Sequence, residues 1–294
     1  MTARAAIHEC LTGPVPPAAA QLAQTLLERF PGSDILLYGS GMSVLASADP
    51  ADVLYDFYVV VPDYKRPFPG ALMRLAAAIL PPNVFYHEQT GALGLLRCKY
   101  AVLSMAHFEK LVSMRTFHSY FWARFAQPSR RAAGSGDLER LAQLMESAIN
   151  TFTQRAAPLA AQGASVTDIW KAGLSASYKA ELRAESPERV DKLLASYGAW
   201  PAAVTLPQRF TETGRGGQLA WRVRAWQGVF LSAARLIKGV FTFEGGIDYI
   251  AWKISRHAGF DLPVKPWERR WPLLGVPFVA QRYYRLKAQK RQNA

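Results

Sequence analysis

Two short stretches hold the residue types from which phosphate chemistry is built. "DILLYGSGMS", Asp34 to Ser43, is an apolar run that stops at Gly39-Ser40-Gly41, and "LYDFYVVV", Leu54 to Val61, is an apolar run interrupted by one carboxylate, Asp56. A strand that ends in Gly-Ser-Gly offers backbone N–H groups unobstructed by Cβ atoms. Ser40 or Ser43 can add a hydroxyl donor, and together these suit a phosphate oxygen. In the second strand Leu54, Asp56, Tyr58 and Val60 share one face, while Tyr55, Phe57, Val59 and Val61 share the other. An aspartate there is costly to bury unless a cation or hydrogen-bond donors meet it. Magnesium suits the position, because it takes oxygen ligands and brings triphosphate oxygens with it.

Several common chemistries are excluded by spacing. No Gly-Lys-Ser/Thr follows the glycines, so this is no Walker loop, and the glycines are wrongly placed for a dinucleotide fingerprint. "YGSGM" is not the Gly-x-Ser-x-Gly of a hydrolase elbow. No His/Cys cluster has zinc spacing, and Cys10 and Cys98 lie far apart, which fits a reducing compartment. A Gly-Ser turn at one strand end with an Asp in the next strand is the layout of the nucleotidyltransferase fold. That fold usually carries a second carboxylate two residues on, and Tyr58 stands there. From the residues alone, an ordinary turn beside a satisfied edge aspartate stays open as the alternative.

The elements that must position these residues follow from periodicity and punctuation. A helix is expected from about Pro16 to Phe30, then strands Ile35–Tyr38 and Val53–Val61. "GALMRLAAAIL" reads as a helix stopped by Pro81-Pro82, and strands are expected at Val84–His87 and Leu93–Leu103. "AHFEKLVSMRTFHSYFWARFA" has helical periodicity, and "SRRAAGSGD", Ser129 to Asp137, reads as a linker. Asp137 can cap the next helix, and Ser186-Pro187-Glu188 opens another. The expectation is an α+β protein: a nucleotidyltransferase-like mixed sheet with flanking helices over 1–130, a mainly helical domain over 131–260, and a basic aromatic tail over 261–294.

The formal charge of +13 on 294 residues implies a polyanionic partner: nucleic acid, nucleotide or anionic membrane. From Lys265 to Ala294 there are eight Lys/Arg and one acidic residue, interleaved with Trp267, Trp271, Phe278, Tyr283 and Tyr284. That mixture suits a lipid–water interface, and equally a solvated basic tail. "WRVRAWQGVF", Trp221 to Phe230, also mixes cations with aromatics, as a single-strand binder, a half-buried helix face or a membrane-facing one would. No apolar stretch reaches the ~18 residues of a membrane span, and "MTARAAIHECLTGP" lacks the apolar centre of a secretory signal.

The ordered motifs resemble one family. Tyr38-Gly39-Ser40-Gly41, Asp56-Phe57, "KYAVLS" from Lys99 to Ser104, "YFWARFAQP" with Arg124, Ala172 to Ser175, Glu181-Leu182-Arg183, and "KGVFT" from Lys238 with Arg235 before it occur in matched order over roughly 30–245. The chain is similar here to the mitochondrial translocator assembly and maintenance proteins, peripheral phosphatidate cytidylyltransferases with a nucleotidyltransferase domain. It departs from them in three places. "PDYKRPFPG" replaces the family's Trp-His, Glu181 needs a two-residue insertion to match an Asp, and the tail after about Phe243 diverges.

The resemblance implies transfer of CMP from CTP to phosphatidic acid, giving CDP-diacylglycerol and pyrophosphate, with Mg2+. It implies Asp56, Lys99 and Glu181 as catalytic groups, Asp56 and Glu181 as metal ligands, and Tyr38, Gly39, Ser40 and Gly41 around the nucleotide. Arg124, Arg183, Arg235 and Lys238 would hold triphosphate or lipid phosphate. An anionic membrane surface is the implied partner, at the cytoplasmic face of a bacterial inner membrane or the matrix side of the mitochondrial one. A nucleotidyltransferase with another nucleotide or phospholipid acceptor, and a non-catalytic basic module binding anionic membrane or RNA, are the alternatives.

Overall fold

Alternation makes the first two strands two-sided, and both sides are buried. In the computed structural model, which describes residues 2–42, 53–181, 187–206, 215–242, 251, 255 and 262–292, β1 (Asp34–Tyr38) pairs antiparallel with β2 (Leu54–Val61). β3 (Asn83–Gly91) and β4 (Gly94–Ser104) form a hairpin, with Gly94 at φ +83° supplying the left-handed turn residue. β4 runs parallel to β2, and β5 (Ser129–Gly134) pairs antiparallel with β1. The result is a five-stranded mixed sheet in the order β3-β4-β2-β1-β5. The protein is therefore α+β, as expected.

Helices cover both faces. Towards one face Ile35, Leu37, Phe57, Val59 and Cys98 pack against α2 (Pro17–Arg29) through Leu22 and Leu26, with α3 (Ala71–Ile79) adding Ala77. Towards the other, Leu36, Tyr58, Val60 and Leu103 pack against α1 (Ala3–Thr12), α4 (Met105–Val112), α5 (Tyr120–Phe125) and α6 (Leu138–Ala156). Phe57 and Val59 are fully buried, and each such side chain gains roughly 2 kcal/mol by leaving water. This second core continues without interruption through Trp170, Trp200 and Trp221 of α7 (Val166–Lys179), α9 (Trp200–Val204) and α10 (Arg215–Thr242). α8 (Pro187–Tyr197) adds Val190 and Leu194 to it. In the tail, α11 (Pro266–Arg270) is tied to α12 (Pro272–Gln292) by buried Glu268, whose Oε1 accepts from Arg282 Nη2 at 2.6 Å.

The cap expected at Asp137 is present, accepting from the Arg140 N–H at 3.1 Å, while Ser186 lies outside the described residues; Ser104 caps α4, accepting from His107 N at 3.3 Å. Other expectations need correction. "SRRAAG" is an edge strand and not a linker, held because Arg131 pairs with buried Asp34 at 2.7 Å. The boundary placed at 130 thus falls inside β5, and the helices beyond it share a core with the sheet. The periodic stretch after Ser104 is two helices, interrupted at Ser113–Ser119, and α1 at the N-terminus was not foreseen. The Ala172–Ser175 motif has a packing reason, since a Cβ on Gly173 would stand 2.6 Å from Ala156 Cβ and 2.7 Å from Phe152 Cζ.

Candidate functional site

Strand register assembles the polar residues. Tyr38 lies opposite Asp56 across β1 and β2, and Asp56 lies opposite Lys99 across β2 and β4, so the three form one row over three strands. All three project to the face that carries Leu36, Tyr58 and Ala101, at the end where β1 runs out into a single 3-10 turn, Gly39–Met42. Gly39 adopts φ +73°, a left-handed conformation that glycine reaches at little cost, and a Cβ there would stand 3.7 Å from Asp56 Oδ2. The glycine turn and the aspartate are therefore immediate neighbours. Ser40 and Gly41 continue the turn, and Ser43 falls outside the described residues.

Lys99 Nζ stands 2.9 Å from Asp56 Oδ1, with both side chains about a fifth exposed, at 21% and 22%. The approach lies outside hydrogen-bond geometry, and Oδ1 has no hydrogen-bond partner among the described residues, so the contact is a charge pair. Tyr58, where a second carboxylate would be usual, is buried between Tyr38 and Phe125, with ring centroids 4.8 and 4.6 Å away. Burial first, then Tyr120 and Tyr38, pushes its phenol well above its ordinary value. Position 58 is thus an aromatic wall of the site.

Arg124 extends that wall. Its guanidinium lies over Tyr38 at 5.5 Å and Tyr120 at 5.9 Å, and Nη2 donates to Glu181 Oε2 at 3.0 Å, with side chains 10% and 9% exposed. Burial opposes its charge, but Glu181 and the tyrosines more than offset this and hold it well above the ordinary arginine value. Glu181 is seated by Arg124 in an ion pair. Among the described residues no three His, Cys, Asp or Glu side chains gather as a metal-binding group.

Tyr38, Gly39, Asp56 and Arg124 open into a cleft of about 540 Å³. Its lining also includes cations that sequence reasoning missed: Arg130 of β5, and Arg189 and Lys192 of α8. The last two are three residues apart and so share a helix face. That spacing was the only local signal, and only tertiary packing joins α8 to β1. Gln127 makes the junction: its Oε1 accepts from Tyr197 Oη at 2.7 Å and Tyr178 Oη at 3.4 Å, and Trp200 Nε1 donates to Ala126 O at 3.0 Å. One acid among four cations favours a polyanionic ligand.

Arg235 and Lys238, expected as phosphate clamps, do not line this cleft. Arg235 Nε donates to Pro81 O at 2.8 Å and its guanidinium lies 4.3 Å from the Tyr120 ring centroid, while Lys238 Nζ donates to Leu80 O at 2.6 Å and Asn83 Oδ1 at 2.7 Å. They fasten α10 to the corner between α3 and β3. Burial, then the charge of Arg235, pulls Lys238 down to about 8. Arg183 falls outside the described residues.

A larger groove of about 680 Å³ lies on the opposite face of the sheet among Phe30, Phe68, Phe85 and Tyr100, away from the row of polar residues. Among the described residues, no helix is long and apolar enough to cross a membrane. No known protein-family model matches the chain, and no curated protein matches it either.

Proposed function

We propose that the chain is a nucleotidyltransferase that moves CMP from CTP to phosphatidic acid at a membrane surface, releasing pyrophosphate and giving CDP-diacylglycerol. The observation that carries this is the row Tyr38–Asp56–Lys99 with the Gly39 turn set against the aspartate. The nucleotidyltransferase-like fold, the bacterial inner-membrane location and the family resemblance belong to the same proposal.

In this reading the Gly39–Met42 turn supplies N–H groups to the triphosphate, and Lys99 moves its charge from Asp56 to a phosphate oxygen when nucleotide enters. Arg124, with Arg130, Arg189 and Lys192 of the same cleft, holds the acceptor phosphate. An oxygen of that phosphate attacks the α-phosphorus, the bond to the bridging oxygen breaks, and the electron pair leaves with pyrophosphate. The acceptor oxygen is already anionic, so positioning and charge neutralisation carry the rate, and among the described residues no histidine lines the cleft to act as a base. Asp56 fits Mg2+, since that ion is commonly held by one or two carboxylates with phosphates and water completing its shell. When bound it would neutralise charge on the phosphates.

The test is CMP transfer from labelled CTP to phosphatidic acid with magnesium. Asp56→Asn is expected to reduce transfer about a thousandfold, the scale of several kcal/mol of lost electrostatic stabilisation, while the melting profile stays close to that of the parent. Full activity in that variant refutes the role of Asp56. An absence of transfer with any nucleotide or phospholipid acceptor favours the non-catalytic basic module instead.

A further inference from the structure

The helices α3, α10 and α12 are among those that contain no aspartate or glutamate, on a chain whose formal charge is +13. They also expose large apolar side chains, and α10 does so in the most ordered pattern. Leu219, Val223, Trp226 and Phe230 are 60%, 49%, 74% and 64% exposed. Steps of four, three and four residues place them within a sector of about 60° along about 16 Å of helix. Trp226 and Phe230 stack with ring planes 12° apart and centroids 6.3 Å apart, and Arg222 is exposed at the edge of the stripe.

The other side of the helix is fastened to the protein. Trp221 Nε1 donates to Arg155 O at 2.6 Å, and buried Arg224 donates through Nε to Phe117 O at 3.0 Å. Gly228 seats against α7 so closely that a Cβ would stand 2.4 Å from Ala180 O. The stripe is therefore presented rigidly. The fastened side of α10 thus meets Ala180, the residue before Glu181, which is the partner of Arg124.

We propose that this stripe docks the protein on a bilayer carrying anionic lipid, with α10 lying in the interface and Trp226 and Phe230 at headgroup depth. Charge complementarity selects the occupant: aliphatic and aromatic side chains on a helix that contains no acid, with Arg222 exposed at their edge, match a negatively charged lipid surface. Nucleic acid would reward the two aromatics by stacking but gains nothing from Leu219 and Val223. Docking stands on the stripe itself; its use in delivering acceptor lipid to the cleft rests on the function proposed above.

Full-length protein, without nucleotide, is sedimented with phosphatidylcholine vesicles and with vesicles that also contain phosphatidylglycerol. Binding to the anionic vesicles is expected, and Trp226→Ser with Phe230→Ser is expected to weaken it about tenfold or more. Leu72→Ser with Leu75→Ser, equally exposed on α3, is expected to leave it within about twofold. All four positions are exposed, so unchanged circular dichroism is the folding control. The proposal is overturned if the α10 variant binds like the parent, if the α3 variant accounts for the loss, or if single-stranded RNA binding falls while vesicle binding does not. It is also overturned if the stripe variant breaks a dimer and the parent ignores vesicles. No nucleotide enters this assay, so its failure leaves the Asp56 test standing, and the converse holds.

Discussion

Acidification should weaken the fold through His118. The imidazole packs edge-on to Phe121 at 6.0 Å, and its Nδ1 is buried with no hydrogen-bond partner among the described residues. Burial first, then the positive charge of Arg235, lowers its pKa from 6.5 to about 4. The folded chain therefore keeps His118 neutral where the unfolded chain has already taken up a proton. Stability from this group is complete above the unfolded value, falls as pH drops through 6.5, and levels off below about 4, where the folded imidazole protonates too. The whole shift corresponds to about 3 kcal/mol, and the part lost between pH 7 and pH 5 to about 2 kcal/mol. Carboxylates such as Glu268 also titrate on acidification, so the informative quantity is a difference of differences. Urea unfolding of parent and His118→Gln at the two pH values should show the parent losing about 2 kcal/mol more than the variant. Parallel losses, or an NMR titration of the His118 ring near 6.5, would refute the reasoning.

Two further perturbations probe the row and its wall. Gly39→Ala and Gly32→Ala both place a side chain at positive φ, +73° and +79°, with open contacts of 3.7 and 3.9 Å, so thermal melts should report a similar loss of about 1–2 kcal/mol for each. Only Gly39→Ala should weaken CTP binding by calorimetry, and equal weakening in both would remove the turn from the site. Arg124→Met strands Glu181 in a nearly buried place and should cost about 3 kcal/mol, whereas the double variant with Glu181→Met should recover a large part of it. Additive losses in that cycle, measured by denaturation, would mean the two charges are not coupled.

What sequence could show was set by how local each cause is. β1 and β2 were legible because apolar alternation and a glycine stop are written within each strand, and Asp56 stood out for breaking that pattern. β5 was not: "SRRAAG" carries no β-favouring run, and it is a strand because Asp34 draws in Arg131 and β1 offers an edge. The interruption between α4 and α5 was hidden because apolar spacing continues across it, while Trp122 Nε1 turns back to bond Thr116 O at 3.1 Å. In the site, Arg130, Arg189 and Lys192 escaped notice since their common cleft joins segments some sixty residues apart. Arg235 and Lys238 show the converse. A cation that binds backbone carbonyls of a distant corner leaves the same local pattern as one that binds phosphate.

The shared row of Tyr38, Asp56 and Lys99 ties the alignment of these polar groups to foldedness. Side chains in a strand alternate strictly, so a shift of β2 by a single residue would carry Asp56 among Leu22 and Leu26 and push Phe57 towards Arg124. A molecule with these polar groups misaligned would thus also have its apolar layers inverted, and would not persist as a folded species. Errors of registration in this protein would be discarded by folding itself, so the molecules that persist are those whose three polar groups already stand in line.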